Sequence, residues 1–182
     1  WVGLLPDTSG KTRMVITWEP RVKGMTAPDV VAVKAKTAAG TMLFDGRIGR
    51  VGSESALPAD SARFDVPIGR VEIDMSIYDV EGKVIDTDLR DVDVPDLRVQ
   101  KRGPVLMPPE VVRARTLRDF NTATTNPDAA PSSVRTFGRA DRLLIRVPAF
   151  DPSGAQVQVT AKILNAWGQP MRDIDALGAA PS

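Results

Sequence analysis

A chain of 182 residues with 24 Lys plus Arg, 23 Asp plus Glu, no His and no Cys excludes several function classes at the outset. Without His it lacks the usual base near neutral pH, the Ser-His-Asp and Cys-His arrangements and most zinc sites; without Cys it lacks thiol nucleophiles, disulfides and iron–sulfur sites. Balanced, interspersed charge gives no basic stripe for nucleic acid, and no apolar run approaches the ~20 residues of a membrane-spanning helix.

In chain order, residues 1–5 are apolar and end at the turn signal Pro6-Asp7. Residues 12–19 alternate, with Met14, Ile16 and Trp18 on one side, until Pro20. Residues 30–37 set Val31, Val33 and Ala35 against Lys34 and Lys36. Ala38-Ala39-Gly40 turns the chain into residues 41–45. Residues 46–59 read as loop, with a short strand at 47–51. Gly46-Arg47-Ile48-Gly49 has a phosphate-loop look, but no Lys-Ser/Thr ending and no helix follow it. Ala62, Phe64 and Val66 alternate with Arg63 and Asp65, and Pro67-Ile68-Gly69 leads into residues 70–79. Seven short strands with evenly spaced turns predict two antiparallel sheets packed face to face. An immunoglobulin-like or fibronectin-III-like sandwich is the common solution at this size.

The strand at 83–94 changes phase: Ile85 and Leu89 are apolar at odd positions, Val92 and Val94 at even ones. A β-bulge near Arg90-Asp91 is the expected remedy. Residues 95–109 carry four prolines and read as the connection between two domains. Val105, Leu106 and Met107 are expected to pack as an edge strand. Thr116 and Asp119 have capping-box spacing, which predicts a helix over 117–123. Further strands are expected at 134–137, 143–150, 156–164 and 171–177.

The most informative feature is a segment used twice. Residues 70–86 and 156–173 share an alternating strand, a Gly-containing turn and a second strand. Val71, Ile73, Met75 and Ile77 match Val157, Val159, Ala161 and Ile163, and Asp79-Val80-Glu81-Gly82 matches Asn165-Ala166-Trp167-Gly168. A second alignment sets residues 14–19 against 144–149 and Val31–Ala35 against 157–161; under it the last strands of the second domain would follow Ser182, and the balance tips slightly that way. The expected organisation is tandem all-β sandwiches: domain 1–97, linker 98–104, and a β-rich domain 105–182 with one short helix.

The segments WVGLLP, TRMVITWEP, VIDTDLRDVDVPDL, LMPPEVVRART and RLLIRVPAF together resemble the C-terminal region of bacterial exported proteins that carry a von Willebrand factor A-type domain upstream. The D-x-S-x-S adhesion motif of A-type domains is not in this chain, so no functional residue carries over. The resemblance implies export to the periplasm or cell exterior, a modular parent, and contact rather than catalysis. Trp1 in place of an initiator Met is read as a segment cut from a longer protein.

Candidate sites are few. Asp86, Asp88, Asp91 and Asp93 form the densest acidic group, a candidate Ca²⁺ ligand set or carboxylate pair. The simpler reading is a solvated strand face. Trp167 at a turn tip is a candidate for stacking on a sugar or anchoring a protein, set against folding over a sandwich end. Tyr78, the single tyrosine, is the other aromatic candidate, with cross-strand packing as its plainer role. The resulting expectation is a non-catalytic structural or interaction module with a protein partner. A carbohydrate-binding or carbohydrate-active module and a calcium-stiffened adhesion repeat are the alternatives.

Overall fold

The computed structural model describes residues 1–6, 11–19, 28–49, 61–97, 103–153, 155 and 160–174. Strands dominate. The first seven are β1 (Val2–Pro6), β2 (Thr12–Ile16), β3 (Pro28–Thr37), β4 (Met42–Gly49), β5 (Ala62–Val66), β6 (Gly69–Asp79) and β7 (Val84–Val94). They form a three-stranded sheet, β1-β2-β5, and a four-stranded sheet, β4-β3-β6-β7, both antiparallel.

The alternation seen in the sequence fixes which side chains face inward. Directly opposed residues share a face of a sheet, so Leu4, Met14 and Phe64 form one inner row, and Val2, Ile16 and Ala62 another. On the larger sheet Ile48, Val31 and Ile77 align, as do Phe44, Ala35 and Ile73. Both inner faces meet in one buried cluster. Phe44 stacks on Phe64 across the two sheets with ring centroids 4.9 Å apart. Trp18 is buried, as its register with Met14 and Ile16 implies, and its indole N–H donates to the Ile48 carbonyl at 3.4 Å. The all-β sandwich expectation therefore holds. β4 is one continuous strand where a strand, loop and short strand were expected. Gly46 carries it through, because the Phe44 ring fills the space its Cβ would take.

The expected bulge at Arg90-Asp91 is absent. Pairing of β6 with β7 runs unbroken from Gly69↔Val94 to Ile77↔Asp86, and shifts only at Tyr78↔Val84. Ile85 is the extra residue. The phase conflict is resolved by sacrificing the odd set: Leu89 is 72% exposed and Ile85 is also exposed, while Val94 is buried. Toward the turn, the inner rows of the sheet end on β7 in Asp86, Asp88 and Arg90. Inward-pointing charge on an edge strand discourages pairing with a further strand.

The C-terminal region adds β8 (Val105–Leu106), β9 (Glu110–Ala114), α1 (Leu117–Thr125), β10 (Arg142–Arg146), β11 (Ala149–Phe150), β12 (Ala161–Leu164) and β13 (Pro170–Ile174). They pair as β8-β11, β9-β10 and β12-β13. The capping box is present. Thr116 Oγ1 accepts from the Asp119 amide at 3.1 Å, and the Asp119 carboxylate accepts from the Thr116 amide at 3.2 Å. The expected strand at 134–137 does not form, and the one at 143–150 is divided at Val147-Pro148, where proline has no N–H to give.

This region is joined to the sandwich by more than the chain. Leu97 and Met107, on either side of the expected linker, belong to the sandwich core, and Val105 and Phe150 pack against it. Residues 98–102 of that linker lie outside the described residues, as do 156–159 and 175–182.

Candidate contact surface

The repeat seen in the sequence is reproduced bond for bond in the hairpins β6–β7 and β12–β13. In the first, Asp79 Oδ1 accepts from the amides of Glu81 at 3.0 Å and Lys83 at 2.8 Å. In the second, Asn165 Oδ1 accepts from Trp167 at 3.0 Å and Gln169 at 2.9 Å. The Gly82 amide donates to the Asp79 carbonyl and the Gly168 amide to the Asn165 carbonyl, each at 3.0 Å. Both glycines sit at positive φ, 81° and 78°, which only glycine adopts freely. The bulge recurs as well: Ile77↔Asp86 and Tyr78↔Val84 correspond to Ile163↔Arg172 and Leu164↔Pro170, with Ile85 and Met171 as the extra residues. These matches follow the alignment of 156–173 on 70–86. The rival alignment needs residues 157–159, outside the described part.

This turn holds Trp167 at the tip of the second hairpin. The side chain is 85% exposed, and Ile163, Leu164, Met171 and Ile174 of the same hairpin are exposed too, Ile163 and Ile174 on one face and Leu164 on the other. Of the two readings of Trp167, exposure at a turn tip and folding over an end of the sandwich, the structure has the first. Among the described residues, β12 and β13 pair only with each other, and an isolated two-stranded hairpin is marginal in water. Lys162 and Asp173 form a cross-strand ion pair at 3.5 Å on it, both well exposed and worth little.

Tyr78 is half-buried on β6, with the Arg47 guanidinium 5.1 Å from its ring centroid. That contact crosses β3 and matches the plainer packing role. The four aspartates are not brought together. Asp86 and Asp88 share the inner face with Ile77 and Met75, whereas Asp91 and Asp93 share the outer face with Glu72 and Arg70. Strand parity alone divides them. Asp88 is engaged by Arg90 at 2.7 Å, Asp91 by Arg70, and Asp86 by the Thr87 amide at 2.8 Å. Among the described residues no three His, Cys, Asp or Glu side chains are grouped to hold a metal ion.

Two carboxylates, one buried and one half-buried, went unnoticed in the sequence. Glu110, on β9, lies opposite Arg146. Burial pushes its carboxyl up from the usual range, against the pull of Arg146 and Arg63. Arg146 itself donates to the carbonyls of Ala123, Asn126 and Pro127, closing the C-terminal end of α1. That arrangement complements the negative end of the helix. Glu19, just past β2, reaches into the C-terminal region. Its Oε1 accepts from the Ser132 hydroxyl at 2.7 Å and the Ser133 amide at 2.9 Å, and its Oε2 from Arg113 at 3.2 Å. Neither acid has a second carboxylate as a working partner among these contacts. An open hollow on α1, lined by Leu117, Arg118, Asn121, Thr122 and Thr125, contains no acid at all.

No protein-family model matches the chain, and neither a curated protein nor a solved structure matches it. The likeness to proteins with an A-type domain therefore rests on the quoted segments alone.

Proposed function

We propose that this chain is a non-catalytic interaction module of an exported, multidomain bacterial protein, and that it makes contact through the β12–β13 hairpin. The observation that carries this is Trp167: 85% exposed, on a turn held by two bonds to Asn165, at the tip of a hairpin whose strands are exposed throughout. Trp, with Tyr and Arg, is enriched where binding energy concentrates at contact surfaces. The strand order β1-β2-β5 over β4-β3-β6-β7 supports a fibronectin-III-like reading of the sandwich. Export and an upstream A-type domain rest on the sequence resemblance. The partner is a protein surface.

The carbohydrate-binding reading draws on the same exposed indole, which offers a flat face to a sugar ring. One experiment separates the two. Acrylamide quenching of Trp167, obtained as the difference between the wild type and Trp167→Phe, is compared in this chain alone and in the full-length protein. Protection in the full-length protein, with no response to a panel of polysaccharides, is the expected result. A saturable emission shift with a polysaccharide favours the carbohydrate reading. Equal quenching in both forms, without any sugar response, removes the contact role of Trp167.

A further inference from the structure

Glu19 and its partners have the chemistry of a receptor and its ligand. The receptor lies wholly in the C-terminal region: the Arg113 guanidinium on β9, and the hydroxyl and amide offered by Ser132 and Ser133. The turn that carries these serines is anchored locally. Pro131 and Ser132 are buried, the Ser132 amide donates to the Val111 carbonyl at 2.7 Å, and Arg135 donates to the Ser132 carbonyl at 3.2 Å. One positive charge, one hydroxyl and one backbone N–H converge on a single carboxylate whose side chain is 9% exposed. Charge-assisted bonds of this kind are roughly twice as strong as neutral ones.

We propose that Arg113, Ser132 and Ser133 form a carboxylate-binding socket, and that Glu19 of the sandwich occupies it as a tethered ligand, fixing the posture of the C-terminal region. The inference does not depend on what the module contacts. Removing the carboxylate leaves the Ser133 amide and the Arg113 guanidinium without this acceptor in a half-buried site, which is more costly than never having built the pair. The Ser132 hydroxyl keeps only its longer option, the Val134 carbonyl at 3.3 Å. A small free carboxylate fits the vacated position, since the socket's donors come from elements that do not include Glu19.

The test is chemical rescue. Glu19→Ala is expected to lower the melting temperature by about 5 °C or more. Excess sodium acetate, compared with sodium chloride at equal ionic strength, should restore part of that loss. It should do nothing for the wild type, whose socket is filled, nor for Glu19→Ala/Ser132→Ala, whose socket is broken. Acetate and chloride acting alike on Glu19→Ala, or a melt unchanged by the substitution, overturns the proposal. If Glu19→Ala does not fold, Glu19→Gln and Arg113→Ala are combined instead. A double-variant loss smaller than the sum of the two single losses supports the socket, and strict additivity overturns it.

Discussion

The hairpins β6–β7 and β12–β13 share a turn, a positive-φ glycine, a side-chain acceptor and a bulge, yet they live in different surroundings. β6 is paired on both sides, by β3 and β7, and its inner residues Val71 and Ile73 are fully buried. Among the described residues β12 has only β13, and every residue of both strands is exposed. Even the equivalent acceptors differ: Asp79 is buried and Asn165 half-buried. The lesson is a division of labour. Local chemistry specifies the hairpin: an Asx-type acceptor, then glycine three residues on. A facing sheet is needed to turn that hairpin into core. A third hairpin, β3–β4, uses the same device with Thr37 Oγ1 accepting from the Thr41 amide and Gly40 at φ 84°.

The comparison is sharpest at the buried strand. Ile73→Ala should cost roughly 3 kcal/mol, because it empties a closed core, whereas Ile163→Ala should cost less than about 0.5 kcal/mol. Urea unfolding of the two variants checks this, and similar losses would mean that the second hairpin is packed after all. Next come the acceptors. Asp79→Ala strips the Glu81 and Lys83 amides of their acceptor and empties the space of a buried side chain, and should cost about 2 kcal/mol. Asn165→Ala should leave the global transition within about 0.5 kcal/mol while erasing the slow-exchanging amides of its own turn. An equal drop in global stability for both breaks the contrast.

A smaller effect is expected at the glycines. Gly82→Ala and Gly168→Ala each impose strain of about 1 kcal/mol at positive φ, but only the first should appear in the global melt. Circular dichroism melts of both variants are sufficient. Smallest of all, Leu89→Thr should change stability by no more than about 0.5 kcal/mol, since Leu89 faces water on β7. A loss the size of a core truncation would place Leu89 inside and reinstate a bulge near Arg90.

Much of the fold could be read because it is governed by local periodicity. Met14, Ile16 and Trp18, or Val31, Val33 and Ala35, announce their face by alternation, and Thr116 with Asp119 announces a helix start. What escaped reading depends on partners distant in the chain. The phase change in β7 reads as a fault that a bulge would correct, but an edge strand tolerates an exposed Leu89. Of the two readings of Trp167, the covered one draws on the general gain from burying a large aromatic; no described element lies over it. Glu19 gave no signal at all, since a carboxylate at the end of a strand looks solvated until Ser132 and Ser133 arrive from more than a hundred residues away. The repeat was the most dependable signal, and it correctly located both turns.

The most direct test is native-state hydrogen exchange on the isolated chain, followed at four equivalent amides: Asp79 and Gly82 in one turn, Asn165 and Gly168 in the other. All four are hydrogen-bonded in the same way. Asp79 and Gly82 are expected to exchange only through near-global opening, and Asn165 and Gly168 through local opening, with far lower protection. Equal protection at the two turns would contradict a β12–β13 hairpin that has no further strand partner among the described residues, and with it the proposal that this hairpin is held ready for contact.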